Sequence, residues 1–132
     1  SLAYENGVTL ETDLPEQCMM EGNEDYLFRI VMSLLENALK YEPRGGTVRL
    51  GLHKSKRKTV LSVQNLGSLI PQEDLPHVFD RFYRGDKSRG GPQRGFGLGL
   101  AITKEMTLRL GGTIAVASSE GAGTTFTVTF GK

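Results

Sequence analysis

The stretch EDYLFRIVMSLLENALKYEPRGG, residues 24–46, decides how the rest of the chain is read. Leu27, Ile30, Val31, Leu34 and Ala38 fall at three- and four-residue spacing, which predicts one amphipathic helix over 24–41. Pro43 and the Gly45–Gly46 pair stop it. At about 100° per residue with Ser33 at zero, Asn37 lies near +40° and Lys40 near −20°, while the apolar stripe from Ile30 to Val31 spans roughly 60° to 160°. Ser33, Asn37 and Lys40 therefore form a polar ladder along the edge of the buried stripe, and Tyr41 stands at its border. A solvated face accounts for Lys40 taken alone. An amide, an ammonium and an aromatic ring aligned at a core edge point to a ligand.

Working outward from this helix, Val8–Leu14 and Gln17–Met20 read as short strands around Pro15. Thr47–His53 alternates, with Val48, Leu50 and Leu52 on one face, and pairs with Thr59–Asn65 across a basic turn at Lys54–Lys58. Glu73–Phe82 reads as a short helix. Leu98–Leu110 reads as a longer one, with Leu98, Ile102, Met106 and Leu110 four apart. Thr113–Ser118 and Thr124–Phe130 close the chain as a hairpin about Glu120–Gly123. No repeat and no second domain is visible, so residues 1–132 are expected to form a single domain. The expected class is α/β (α+β), a two-layer sandwich with a mixed, mostly antiparallel sheet and about three helices on one face.

Composition sets the outer limits. A chain of 132 residues with 38% hydrophobic and 23% charged residues is long enough for one packed core and ordinary for a globular protein. A net charge of +1 argues against a nucleic-acid partner. Cys18 stands alone, so no internal disulfide can form and no zinc cluster is suggested. No apolar run approaches the ~18 residues of a membrane helix and no signal peptide opens the chain, so direct membrane insertion of this segment is not expected. The chain begins at Ser1 without a methionine and reads as a domain excised from a larger protein.

The charge is locally uneven. Arg81, Arg84, Lys87, Arg89 and Arg94 face only Asp80 and Asp86, and the same region carries six glycines from Gly85 to Gly99. A solvated loop accounts for this composition. A basic, glycine-rich loop that ends at a helix start is also how proteins hold phosphates, through backbone N–H groups and the helix dipole. GFGLGL at 95–100 lacks the preceding strand that a dinucleotide-binding fingerprint requires.

Four segments, SLLENALKYEPRGG (33–46), NLGSLIP (65–71), FDRFYRGDKSRGGPQRGFGLGL (79–100) and EGAGTTF (120–126), cover 50 of the 132 residues. In this order and spacing they resemble the ATP-binding catalytic domain of bacterial sensor histidine kinases. The wider superfamily includes gyrase-type ATPases, heat-shock chaperones and MutL-type repair proteins. The resemblance implies ATP and Mg²⁺ as cofactors. It implies that Asn37 coordinates Mg²⁺, that Lys40 contacts phosphate and that Tyr41 packs against the purine. Mg²⁺ prefers hard oxygens, an ammonium is a point charge for phosphate, and a ring offers a stacking face. It further implies that Arg84 and Arg89 reach the β- and γ-phosphates, where a planar guanidinium binds oxygens in pairs. Phe79 and Phe82 anchor the loop from the core. Gly95, Gly97, Leu98, Gly99 and Leu100 form the glycine-rich start of the last helix, and Gly67 and Ile70 accompany the base contact. Thr124 is either a ligand contact or part of a hairpin turn.

The chain departs from the family pattern at three places. Ser33 stands where a second asparagine usually begins the helix motif, and it retains a hydroxyl for phosphate positioning. Asn65 stands where an aspartate normally accepts a hydrogen bond from the adenine amino group, and Leu69 replaces a glycine nearby. Asn65 shares strand parity with Leu61 and Val63 and so points inward; otherwise it caps a strand-end turn. Because an asparagine amide holds both donor and acceptor, a flip would let it pair with adenine or guanine, so weak ATP/GTP discrimination is expected, with Asn65→Asp raising ATP affinity.

The gyrase, chaperone and MutL types hydrolyse ATP with a glutamate four residues before the magnesium-binding asparagine, and that position is Ser33 here. The reading is therefore a protein histidine kinase that transfers the γ-phosphoryl group to a histidine on a separate dimerisation domain of the same protein and thence to a cognate response regulator. His53 and His77 do not fit the acceptor context. Ser33, Lys40, Arg84 and Arg89 carry the catalytic expectation. Family precedent places such a domain in the cytoplasm of a membrane-anchored protein. The alternatives are a degenerate pseudokinase that uses nucleotide structurally, or an anti-sigma-factor-type serine kinase of the same fold.

Overall fold

The computed structural model describes residues 7–13, 24–55, 57–67, 69–80 and 99–131. The elements are β1 (Thr9–Asp13), α1 (Glu24–Tyr41), β2 (Thr47–Lys54), β3 (Lys58–Asn65), a 3-10 turn (Leu75–His77), α2 (Gly99–Arg109), β4 (Thr113–Ser119) and β5 (Gly123–Gly131). The five strands form one sheet in the order β1-β2-β3-β5-β4. β1 runs parallel to β2, whereas β2–β3, β3–β5 and β4–β5 are antiparallel. The parallel pair requires a crossover, and α1 supplies it.

The turn after α1 ties that crossover down. Glu42 N–H continues the helix to the Ala38 carbonyl at 3.0 Å, Pro43 ends it, and Gly45, at φ 88°, donates to the Gly7 carbonyl at 2.8 Å. Thr9 N–H then meets the Gly46 carbonyl at 2.9 Å, so the start of β1 is clipped beside the start of β2.

The core lies on one sheet face beneath the two helices. Ile30, Leu34 and Ala38 of α1 are essentially fully buried, as predicted, and Leu39 widens the buried arc beyond the expected stripe. They pack with Val48, Leu61, Val63, Phe126, Val128 and Phe130 from the sheet. Burying each of the Val, Leu, Ile and Phe side chains among them contributes roughly 1.5–3 kcal/mol. The opposite sheet face is solvated, with an Arg49–Glu11 ion pair at 2.8 Å and His53 within 3.6 Å of Asp13.

Two expectations need correction. There are two α-helices among the described residues rather than about three, because the predicted Glu73–Phe82 helix is only the 3-10 turn Leu75–His77. Pro76 lacks an N–H and its ring crowds the carbonyl four residues earlier. The backbone instead makes three-residue closures, Asp74 to Pro71, His77 to Asp74 and Asp80 to His77, each at 2.9 Å. The second correction is the buried face of α2, which is Leu100, Thr103, Met106 and Thr107, whereas Ile102 is 46% exposed. Thr107 can be buried because its hydroxyl donates to the Thr103 carbonyl at 2.8 Å, and Thr103 donates to the Ser33 hydroxyl at 2.7 Å. The hydrogen-bonded threonines displace the four-spaced leucine–isoleucine stripe. The Gln17–Met20 strand and Phe82 lie outside the described residues.

Candidate nucleotide-binding site

Strand register builds the floor of the site. On the inward face, Leu61 is opposite Val128 and Val63 opposite Phe126, and Phe126 is opposite Val116. One step of two residues further along, Asn65 pairs with Thr124 and Thr124 with Ser118. The apolar rows of the sheet thus end in one polar row across β3, β5 and β4, all three residues under 9% exposed. Ser118 and Thr124 hydroxyls are bonded at 2.8 Å, and Ser118 Oγ accepts the Ile70 N–H at 2.8 Å. That bond pulls the segment after β3 over the sheet.

Above this row lies a cavity of about 130 Å³, lined by Asn37, Tyr41, Asn65, Leu69, Ile70, Thr124 and Phe126. α1 supplies Asn37 and Tyr41, the sheet supplies Asn65, Thr124 and Phe126, and the β3 exit supplies Leu69 and Ile70. The volume is well below the roughly 300–1,000 Å³ of pockets that enclose a drug-sized molecule. Its size suits a flat ring system rather than a whole nucleotide, and Asn37 of α1 stands in its wall. Phe126 is braced from behind by Phe79, edge-to-face with ring centroids 6.0 Å apart.

Asn65 is 3% exposed, and both hydrogens of its amide are engaged. Nδ2 donates to the Ala38 carbonyl at 2.6 Å and to Glu42 Oε1 at 3.2 Å. Glu42, 5% exposed, accepts the Gly67 N–H at 2.9 Å and the Thr47 N–H at 3.2 Å on Oε2. The inward aim of Asn65 agrees with its strand parity. The expected amide flip does not, because the network holds one orientation.

The other expected residues divide between the cavity and its margins. Asn37, Tyr41, Asn65, Ile70 and Thr124 come together from parts of the chain almost ninety positions apart. Lys40 is exposed, its Nζ 5.5 Å from the centroid of the Tyr41 ring. Ser33, one turn before Asn37, faces α2 through Thr103, so the polar ladder runs from the cavity toward the start of α2, where Gly99 and buried Leu100 stand. Gly67 is not in the cavity wall. Its N–H serves Glu42, and a Cβ there would come within 2.7 Å of Glu42 Oε2. Arg84, Arg89, Gly95, Gly97 and Leu98 lie outside the described residues. His53 and His77 do not line the cavity.

Sequence reasoning missed Glu42, Ser118 and Phe126. Ser118 could have been found from the hairpin, since it sits across from Thr124. Glu42 carries no local signal, because it reads as the last residue before a helix-stopping proline.

The donor set suits the groups that the motifs imply. Asn37 offers a hard amide oxygen at the cavity edge, and among the described residues there is no group of three or more His, Cys, Asp or Glu able to hold a metal unaided. An ion there would complete its shell with phosphate oxygens and water, which is how Mg²⁺ is usually held.

Residues 22–132 match the family described as histidine kinase-, DNA gyrase B- and HSP90-like ATPases. Over 131 residues the chain is 41% identical to the sensor histidine kinase WalK of Bacillus subtilis, covering 97% of this chain and 21% of WalK. It is 37% identical over 121 residues to the sensor-like histidine kinase SenX3 of Mycobacterium tuberculosis, covering 92% of this chain and 30% of SenX3. The chain thus spans about a fifth to a third of these relatives. Among solved structures it superposes on a mycobacterial sensor histidine kinase, MprB, with a TM-score of 0.78 at 29% identity, covering 98% of this chain and 86% of that one. The catalytic domain of the histidine kinase ThkA, at 23% identity, shares the fold with a TM-score of 0.81, covering 98% of this chain and 83% of that one.

Proposed function

The chain belongs to the histidine kinase-, DNA gyrase B- and HSP90-like ATPase family, and from that premise we propose that it is the ATP-binding catalytic domain of a two-component sensor histidine kinase. The observation that carries the reading is the base-sized cavity in which Asn37 and Tyr41 of α1 meet Asn65, Ile70 and Thr124. Tyr41, Leu69 and Ile70 provide the apolar walls for a purine. Asn65 provides a buried acceptor for its amino group. Asn37 would hold Mg²⁺ beside the phosphates, and Lys40 at the open edge supplies positive charge to them.

Mg²⁺, when bound, would supply positive charge to the phosphate oxygens. The chain's own residues bind and orient the nucleotide, and positioning of this kind accounts for most catalysis of phosphoryl transfer. Arg84 and Arg89 are assigned to the β- and γ-phosphates from their motif. Ser33 cannot serve as a general base for water: it has no carboxylate, and its hydroxyl is engaged with Thr103. The γ-phosphoryl group is therefore preserved for an acceptor histidine on the dimerisation domain of the same protein and then for a response regulator. That whole protein is a membrane-anchored dimer with this domain in the cytoplasm. Among the described residues no helix is long and apolar enough to cross a membrane. The kinase names of the relatives favour this reading over a pseudokinase or a serine kinase of the same fold.

The test is incubation with γ-labelled ATP and Mg²⁺, with and without the protein's own dimerisation segment. The isolated domain binds Mg·ATP with negligible self-labelling and negligible hydrolysis. Adding the acceptor segment yields acid-labile label on that segment. Acid-stable label, or strong labelling of the domain alone, overturns the reading.

A further inference from the structure

We infer that Glu42 sets the base specificity of this cavity, by holding the Asn65 amide so that it offers the base an acceptor and never a donor. The inference deepens the proposed function, since it rests on the cavity receiving the base of a nucleotide.

Asn65 has two amide hydrogens and one carbonyl oxygen to distribute. Ala38 O, at 2.6 Å, takes one hydrogen, and Glu42 Oε1, at 3.2 Å, takes the other. What remains for the cavity that Asn65 lines is Oδ1. Nitrogen and oxygen of an amide are told apart only by their partners, and here the partners decide. Turned over, Oδ1 would face a carbonyl and a carboxylate with no hydrogen between them. Two buried bonds would be lost, one of them to a charged group, which disfavours the flipped amide by on the order of a hundredfold or more.

The lock is rigid because Glu42 is itself held. Oε2 accepts two backbone N–H groups, from Gly67 at the exit of β3 and Thr47 at the start of β2. Gly46 and Gly67 crowd the carboxylate so closely that a Cβ on either would collide with it. A carboxylate in this notch can only accept, so Asn65 can only donate to it. A side chain there with a donor would remove one of the two constraints on the amide and leave only the Ala38 carbonyl against the flipped orientation. Glu42 does not line the cavity, so it acts on the base through Asn65 as a positioning residue.

A purine that presents an amino group to Oδ1 gains a hydrogen bond, whereas one that presents a carbonyl there sets acceptor against acceptor. The site therefore selects adenine over guanine with a neutral asparagine. The same geometry adds a stability cost to Asn65→Asp. A carboxylate at that position would confront Ala38 O and Glu42 Oε1, so it costs stability before any nucleotide is present.

Calorimetric titration of ATP and GTP, together with melting of the nucleotide-free protein, tests this in the wild-type chain, Glu42→Gln, Asn65→Asp and the double variant. Wild type prefers ATP over GTP by about tenfold or more, the cost of one mismatched buried polar pair. Glu42→Gln lowers the ATP/GTP ratio at least about threefold, because the substituted amide can keep its oxygen on Gly67 and Thr47 only by turning its NH₂ toward Asn65. A merely structural role would weaken both nucleotides equally and leave the ratio alone. Asn65→Asp melts below wild type, and adding Glu42→Gln recovers part of that loss, since an amide can donate to the new carboxylate. Equal affinity for ATP and GTP, an unmoved ratio in Glu42→Gln, or an Asn65→Asp protein as stable as wild type overturns the inference while leaving the nucleotide site standing. Failure to bind either nucleotide overturns the proposed function and the specificity assignment with it.

Discussion

Replacing Ser118 by alanine isolates the bond that folds the cavity wall onto the sheet. Ser118 is 8% exposed and Ile70 9%, so neither the hydroxyl nor the amide it serves has ready access to water. The substitution removes the acceptor of the Ile70 N–H and the partner of the Thr124 hydroxyl, both at 2.8 Å. An orphaned buried N–H costs about 1–3 kcal/mol and a lost hydroxyl pair about 0.5–1.5 kcal/mol, so the loss should be about 3 kcal/mol. For a domain of this size each kcal/mol moves the midpoint by roughly 3–6 °C, which predicts a melting temperature about 10 °C lower. Scanning calorimetry measures it, with Ser119→Ala as the control: Ser119 lies next along the same strand, is exposed and should shift stability by less than about 0.5 kcal/mol. A cycle with Thr124→Val separates the hydroxyl pair from the Ile70 bond. ATP affinity should fall by about three- to tenfold, since Ile70 walls the cavity, a loss on the order of 1 kcal/mol. A Ser118→Ala protein melting within about 2 °C of wild type would refute the claim that this hydroxyl holds the wall.

Three further outcomes are expected. Leu34→Ala, at a side chain 1% exposed beneath α1, destabilises by about 3–5 kcal/mol in denaturant titration, with the steepness of the transition unchanged. Gly123→Ala, at φ 73° and with its new methyl against the Asn65 carbonyl, costs about 2 kcal/mol or more and weakens ATP binding by calorimetry, because the collision moves the backbone that carries Asn65. Chelating Mg²⁺ weakens ATP binding strongly in wild type and little in Asn37→Ala; an equal loss in both proteins would remove Asn37 from the metal site.

What was legible in the chain follows the range of each interaction. α1 was found with its bounds because apolar spacing over eighteen residues is a local, repeated signal, and Pro43 marks its end. β2, β3 and the closing hairpin were found within a residue or so for the same reason. The apolar reading failed on α2, where Thr103 and Thr107 are fully buried and Ile102 is not. A threonine whose hydroxyl is satisfied by its own helix or by Ser33 is as good a core residue as its methyl allows, and period counting assigns it to the wrong face. The third helix failed because Pro76 outweighed the apolar positions around it.

The site shows the same division more sharply. Asn37 and Tyr41 are one turn apart on a helix, so their shared face follows from local geometry. Asn65, Thr124 and Ser118 form a row only because β5 lies between β3 and β4, an order that strand periodicity does not contain. Glu42 is more distant still from any local rule: it meets Asn65 twenty-three positions away and Gly67 twenty-five away. Its value lies in being unable to donate, a property with meaning only once the partners are known. Replacing an aspartate by an asparagine at the base looks in the sequence like a loss of charge and of discrimination. In the fold, a carboxylate stands behind Asn65, on Glu42, and acts through the amide to fix an acceptor. The departure at position 65 is therefore intelligible only as half of a pair.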